Sequence, residues 1–348
     1  MKKIAFMVPR LTKTGPVNVI YNILLSKERE NFDCYIITSK NEISENSRVE
    51  EFKSLGVKIY PLKQTNIILK YFELRNFVKK EQFSLINAHS ISSLFYICFL
   101  KVYKAFSLHF DIQHDWLRSG NKKYLFLYHV VKFALKRMDV IICCADYIAK
   151  SLKQEFNSVV SIPNGVTYNE NYKRNYRNLG IRKNFIYCGS LNARKNVLEL
   201  VSEFNEHRKA NEYLYLAGIG DFYERLKNLG YQNIVLLGFC DDLEIILQDM
   251  DYFISYSKSE GLPLAVLEAM SMGLPVVLSD IPGHSEIIDN RLCAGVIKKG
   301  TLRESLDKIF SFDYKFLSDN ARAIISEKYS IDIMAKKYFA VFKGCFIL

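Results

Sequence analysis

Tyr252-Phe-Ile-Ser-Tyr256-Ser-Lys-Ser-Glu260-Gly-Leu-Pro263-Leu-Ala-Val-Leu-Glu268-Ala-Met-Ser-Met-Gly273-Leu-Pro275-Val-Val277 reads as a strand, a glycine loop, a helix and the start of a second strand. The apolar run Tyr252–Tyr256 suits a buried strand. Pro263 suits the first residue of a helix, whose inner face would carry Leu264, Leu267, Met270 and Ser271. Gly273 is placed to cap that helix, and Pro275 leads into the next strand. Two strands joined by one helix make a parallel unit.

The same alternation extends in both directions. Strands are predicted near Ile4–Val8, Cys34–Thr38, Val57–Tyr60, Leu85–Ala88, Leu108–Gln113, Val140–Cys143 and Val159–Ile162. A second set is predicted near Phe185–Cys188, Leu214–Ala217, Ile234–Leu237, Tyr252–Tyr256, Val276–Leu278 and Gly295–Ile297. Between the sets, residues 169–183 are polar and lack an apolar face, as a linker would. The reading is an α/β chain of two Rossmann-like, doubly wound parallel-sheet domains, residues 1–168 and 184–330, facing across a cleft. A final helix over 331–348 is expected to pack back toward the N-terminal domain. Ligands of such sheets bind beyond the carboxyl ends of the strands, beside helix N-termini.

Composition narrows the function. The chain has 348 residues, 49% of them hydrophobic, enough to bury two cores. Its 8 cysteines form no C-x-x-C or Cys/His cluster, which suits a reducing cytoplasm and gives no zinc site. The first nine residues read as a strand rather than a targeting segment. The net charge of +11 is uneven: residues 1–165 hold 25 Lys+Arg against 14 Asp+Glu, and residues 166–348 hold 23 of each. An excess confined to one half points to an anionic partner there. An anionic membrane surface is favoured over nucleic acid, because no nucleic-acid-binding motif is present.

Glu260 and Glu268 are eight residues apart, but so are Glu42/Glu50 and Glu73/Glu81. With 21 glutamates, about 1.3 such pairs arise by chance. Only Glu260/Glu268 lies on a strand end, a glycine turn and a helix start. A helix N-terminus there offers N–H groups to a diphosphate, and Gly261 allows a close backbone approach. A second cluster, Phe185-Ile-Tyr-Cys188-Gly189-Ser190-Leu-Asn-Ala-Arg194-Lys195, ends a strand in Gly-Ser and sets a basic pair before the next helix. Arg194 and Lys195 suit the stabilisation of a leaving diphosphate. Asp249-Met-Asp251 spells a D-x-D but falls between a helix and a strand, so a boundary role is expected. Gly218-Ile-Gly220 is too short a fragment to argue for a dinucleotide.

These segments resemble the retaining glycosyltransferase family 4, of GT-B fold, whose hallmark is a Glu-x7-Glu motif as at Glu260–Glu268. Ile162-Pro-Asn-Gly165, Leu216-Ala-Gly-Ile-Gly220, Leu237-Gly-Phe239 and Gly283-His-Ser-Glu286 follow in the family's order. The resemblance implies a metal-independent enzyme with no cofactor and a nucleotide-sugar donor, UDP being the family-level expectation. Arg194 and Lys195 would hold the diphosphate, with Gly189 and Ser190 beside them. Glu268 would bind the ribose and Glu260 the donor sugar, flanked by Gly261, Leu262, Pro263 and Leu264. Gly238 and Phe239 would lie near the base. Gly15, in Thr14-Gly15-Pro16, would approach the donor phosphates, although family members often carry two glycines there. His114, in Asp111-Ile-Gln-His114-Asp115, matches a cleft histidine near the reacting sugar; His89 is read as either cleft lining or packing.

The acceptor is expected on the first domain, as a glycan or lipid-linked glycan of bacterial surface polysaccharide synthesis. Lys122-Lys-Tyr-Leu-Phe-Leu-Tyr-His-Val-Val-Lys-Phe-Ala-Leu-Lys-Arg137 reads as a basic amphipathic helix, either packed with its lysines in solvent or in peripheral contact with a membrane. Two other classes are weaker. A non-catalytic partner subunit would not need Glu260, Arg194 and Lys195, and a nicotinamide dehydrogenase would need the missing glycine fingerprint.

Overall fold

The computed structural model describes residues 1–40, 47–117, 122–174, 182–288 and 294–344. The chain forms two compact units, Met1–Gly165 with Ile331–Leu348, and Val166–Ser330.

The first unit is built on seven parallel strands: β1 (Lys2–Val8), β2 (Phe32–Thr38), β3 (Lys58–Pro61), β4 (Leu85–Ala88), β5 (Tyr103–Leu108), β6 (Val140–Cys143) and β7 (Val159–Ser161). Their order is β3-β2-β1-β4-β5-β6-β7. Strands covered on both faces become unbroken apolar runs, as β1 and β6 show. Helix α1 (Gly15–Leu25) packs with the C-terminal helix α14 (Ile331–Gly344). Phe342 of α14 meets Phe6 edge-on at 6.0 Å, and Phe339 stacks on Phe32 at 5.1 Å. Right-handed crossovers put α3 (Ile67–Glu81), α4 (Ile91–Ile97) and α5 (Lys122–Leu135) on the opposite face.

The second unit has six parallel strands: β8 (Lys183–Cys188), β9 (Glu212–Ala217), β10 (Ile234–Gly238), β11 (Tyr252–Ser255), β12 (Val276–Ser279) and β13 (Gly295–Lys298). Their order is β10-β9-β8-β11-β12-β13. The chain winds outward from β8 in one direction and from β11 in the other. The switch point lies between those two strands, and a crevice opens beyond their carboxyl ends. Asp251 ties the other ends together: its carboxylate accepts from Asn184 N at 2.7 Å, and its own N–H donates to Asn184 O at 2.8 Å. That occupies the second aspartate of the D-x-D in holding β11 to β8.

Three local expectations change. The strand predicted at Leu108–Gln113 is found at Tyr103–Leu108, and the residues after it form a π-helical turn, Gln113–Leu117. Pro263 precedes its helix, α10 (Leu264–Ser271), with an extended ψ of 117°, instead of being the first helical residue. Part of the stretch read as a linker is fixed to the second unit. Arg174, 7% exposed, donates to the carbonyls of Leu247 at 3.4 Å and Met272 at 3.2 Å, and to the Tyr314 hydroxyl at 2.9 Å. Residues 175–181 of that stretch lie outside the described residues.

Candidate functional site

The loop after β8 is shaped by glycines and by one tyrosine. Tyr187 donates its hydroxyl to Ser190 O at 3.0 Å, folding the chain back at Gly189. Behind it, a Cβ on Gly218 would sit 1.9 Å from Gly189 O, and one on Gly220 would sit 2.7 Å from Leu191 N. Gly218-Ile-Gly220 is therefore a backing strap for the Gly189 loop, with Leu191 N donating to Ile219 O at 2.9 Å. Asn192 Oδ1 then accepts from Lys195 N at 3.1 Å, just before α7 (Val197–His207).

This loop meets the one that follows β11. Lys258 N donates to Arg194 O at 2.9 Å, and Arg194 Nη1 returns a bond to Ser259 O at 2.7 Å. Glu260, 8% exposed, lies between them. Its Oε2 accepts from Arg194 Nη1 at 3.1 Å, and its Oε1 accepts from Ser257 Oγ at 2.6 Å and from Lys195 Nζ. Burial alone would raise this carboxyl. Lys195 first, then Arg194, outweigh burial and hold it at about 2. Burial also lowers the Lys195 ammonium from its ordinary value, against the pull of Glu260. One carboxylate with two cations leaves a cluster of net charge about +1, set at the strand switch point. The Arg194 side chain is about half exposed, so its guanidinium can still meet an anion.

The Glu260 loop is held from beneath by α11 (Pro282–Ser285). A Cβ on Gly283 would lie 2.3 Å from Gly261 O and 2.6 Å from Glu260 O, so only glycine fits. The next residue, His284, is fully buried, and burial lowers its imidazole to about 4. Ser279 Oγ donates to Ser257 O at 2.6 Å, so His284 Nδ1, 3.1 Å from Ser279 O, carries the ring proton and donates. Ser257, Ser279 and His284 are residues whose part in the site the motifs alone do not reveal. The sequence signals are the places of Ser257 and Ser279 at the ends of β11 and β12 and of His284 within the segment Gly283-His-Ser-Glu286.

The remaining expected residues fall as follows. Glu268 lies half-buried on α10, close enough to the end of β8 that its charge adds to the burial raising the Cys188 thiol. Leu262 and Leu264 are buried beside Glu260. Gly238 ends β10 and accepts from Gly218 N at 2.7 Å, with Phe239 partly exposed beyond it. Gly15 belongs to the first unit, at the start of α1, and a Cβ there would meet nothing within 4 Å. His114 lies on the π-helical turn, and its side chain lies outside the described residues.

His89 and a histidine that the motifs did not single out, His109, directly follow β4 and β5. Tyr338 of α14 donates to Ser107 Oγ at 3.1 Å, and Ser107 donates to Asn87 Oδ1 at 3.1 Å. Asn87 Nδ2 reaches His89 Nε2 at 3.0 Å, and His89 Nδ1 reaches His109 Nε2 at 3.0 Å. The direction of this chain makes His89 the Nδ1–H tautomer and His109 an acceptor at Nε2. Burial lowers both rings, His109 to about 4, so both are neutral at pH 7. Among the described residues, no group of three or more His, Cys, Asp or Glu could hold a metal ion.

A GT-B pair of parallel-sheet domains with a cationic cluster at a switch point defines a class that the comparisons name. Residues 14–170 match the family model described as Glycosyltransferase Family 4, and residues 182–310 match that described as Glycosyl transferases group 1. These two matches class the chain with the glycosyltransferases. The chain is 23% identical to the O-antigen biosynthesis glycosyltransferase WclY of Escherichia coli, over 99% of each chain. It is 33% identical to the UDP-Gal:alpha-D-GlcNAc-diphosphoundecaprenol alpha-1,3-galactosyltransferase of Escherichia coli, over 32% of each. The crystal structure of Anabaena HepE in complex with UDP and glucose superposes with a TM-score of 0.79, covering 99% of this chain and 100% of that one. At 15% identity that likeness concerns the fold alone.

Proposed function

We propose that the chain is a retaining, metal-independent glycosyltransferase of the cytoplasm. It would move a sugar from a UDP-sugar to a glycan or lipid-linked acceptor in bacterial surface polysaccharide synthesis. The observation that carries this reading is the Arg194–Glu260–Lys195 cluster beyond β8 and β11. Its net positive charge and the N-terminus of α10 suit a diphosphate. Its ionised carboxylate suits the hydroxyls of the attached sugar, which donate to it.

In this mechanism the bond from the anomeric carbon to the diphosphate oxygen breaks, and the acceptor oxygen bonds on the same face. The departing oxygen takes the acceptor's proton. Arg194 and Lys195 stabilise the charge that gathers on the diphosphate, Lys195 from a poorly solvated position where its charge counts most. A divalent ion at this point would have to displace two side-chain cations from Glu260, which favours a reaction without one. Glu268, one turn and more into α10, would accept from the ribose. Two relatives, an O-antigen biosynthesis glycosyltransferase and a galactosyltransferase for a diphosphoundecaprenol substrate, support a lipid-linked acceptor.

The test is a panel of nucleotide-sugars. A UDP-sugar should raise the melting temperature, and adding an undecaprenyl-diphosphate-linked sugar should release UDP at a rate unchanged by EDTA. The product should keep the donor's anomeric configuration by NMR. Absence of both stabilisation and diphosphate release across the panel would overturn the assignment.

A further inference from the structure

The face of the first unit that carries α3, α4 and α5 exposes apolar side chains where a solvated surface should carry polar ones. Asn66 caps α3 by accepting from Ile68 N at 2.8 Å. Ile67 is 66% exposed and Ile68 62%. Beside them runs a groove of about 700 Å³ lined by Tyr71, Phe72, Phe95, Tyr96 and Phe99. Tyr71 donates to Phe99 O at 3.4 Å, joining α3 to the end of α4.

The apolar surface continues onto α5. Phe99, 57% exposed, lies 6.4 Å from Phe133, and the Arg137 guanidinium stacks on Phe133 at 3.7 Å. Along α5 the exposed stripe reads Lys122, Phe126, His129, Phe133, Lys136, with Phe126 71% exposed. That spacing follows one helix face. The charge around it is mainly positive: residues 67–138 contain twelve Lys+Arg and four Asp+Glu, and neither α4 nor α5 has an acidic residue. Lys40 and Lys70 rim the groove.

We infer that this face, from Ile67 and Ile68 across Phe99 to Phe126, docks on an anionic lipid bilayer, its apolar side chains entering the headgroup boundary while the lysines meet lipid phosphates. Protein interfaces are depleted in Lys, whereas interfacial membrane helices pair Lys and Arg with Phe and Leu, as here. Among the described residues no helix is long and apolar enough to cross a membrane, so the contact is peripheral. The basic sequence of α5 marks only one border of this face, and its apolar centre lies on α3 and the end of α4. The inference extends the lipid-linked acceptor reading by naming the surface that meets the lipid.

The test is sedimentation of the full chain with phosphatidylglycerol/phosphatidylcholine vesicles, without donor or acceptor, so that it is decided apart from sugar transfer. The protein should bind these vesicles, bind pure phosphatidylcholine vesicles at least tenfold more weakly, and be released by salt. Ile67→Ser/Ile68→Ser/Phe99→Ser should weaken binding at least tenfold while leaving the melting temperature and transfer to a water-soluble acceptor unchanged. Phe126→Ser should weaken binding severalfold. No binding to the anionic vesicles would overturn the inference, as would wild-type binding by the triple variant. A concentration-dependent dimer that the triple variant abolishes would show that a second copy covers this face, and would overturn it too.

Discussion

Lys195 and Glu260 form an ion pair shut away from solvent, one on the loop after β8 and the other on the loop after β11, with side chains 15% and 7% exposed. Removing one partner of such a pair strands the other charge, at a cost of about 3–5 kcal/mol. Glu260→Ala is therefore a poor probe of chemistry. Glu260→Gln, Lys195→Met and the double variant should form a cycle in which the double is at least ~1 kcal/mol more stable than the two single losses added. Urea unfolding would read this. All three variants should lose sugar transfer nearly completely, and strict additivity of the stabilities would rule out the pairing.

Gly283 and Gly15 separate packing from ligand approach. Gly283→Ala drives a methyl against the Gly261 carbonyl and should cost about 1–3 kcal/mol, with donor affinity falling as the Glu260 loop shifts. Gly15→Ala meets open space in this chain and should change stability by less than ~0.5 kcal/mol. If Gly15→Ala nevertheless weakens donor-induced thermal stabilisation, the bound donor is what needs the glycine. Chemical denaturation of both variants with and without UDP checks the contrast.

Acid should destabilise the fold well above the range of the carboxylates. Burial lowers His109 and His284 to about 4 in the folded chain, and burial, helped by the neighbouring His109, holds His89 well below its ordinary value. The unfolded chain takes up these protons near pH 6.5, so stability is full above that value and is lost as pH falls toward 4. For His284 alone the loss by pH 5 is about 2 kcal/mol. Glu260, held at about 2, adds its loss only below about pH 4.5. Equal urea midpoints at pH 7.5 and pH 5 would contradict the buried neutral rings.

Arg174 should matter to folding and hardly to chemistry. Its replacement by Ala leaves the carbonyls of Leu247 and Met272 without this donor, at about 1–3 kcal/mol. The expected result is a lower denaturation midpoint with the KM for donor unchanged. An unaltered midpoint would mean that water replaces the guanidinium.

The two sheets were legible because strands buried on both faces are unbroken apolar runs, as in Phe185-Ile-Tyr-Cys188 and Val140-Ile-Ile-Cys143. β5 was misplaced for the opposite reason. Its Tyr103-Lys-Ala-Phe-Ser-Leu108 contains Ser107, which is buried because it joins Tyr338 to Asn87, and Lys104, whose ammonium reaches Asp139 at 3.2 Å. The strand therefore ends at Leu108, directly before His109, instead of running on to Gln113. The motifs around Glu260 and Arg194 could be read from strand ends and helix starts. The bonds from Ser257, Ser279 and His284 that hold the loop could not, because they join residues whose proximity only the sheet order creates. Arg174 was hidden by the absence of any period in its surroundings.

The helix α14 belongs to the first unit although the whole second unit lies between them in the chain. During synthesis, residues 166–330 must be made before Tyr338, Phe339 and Phe342 exist to cover Phe6 and Phe32. At ordinary translation rates that leaves this side of the first sheet bare for on the order of 10–30 s. The second unit is one continuous segment and can complete itself first. The nascent first unit has to wait, and over that interval it is the part of the chain most in need of a chaperone.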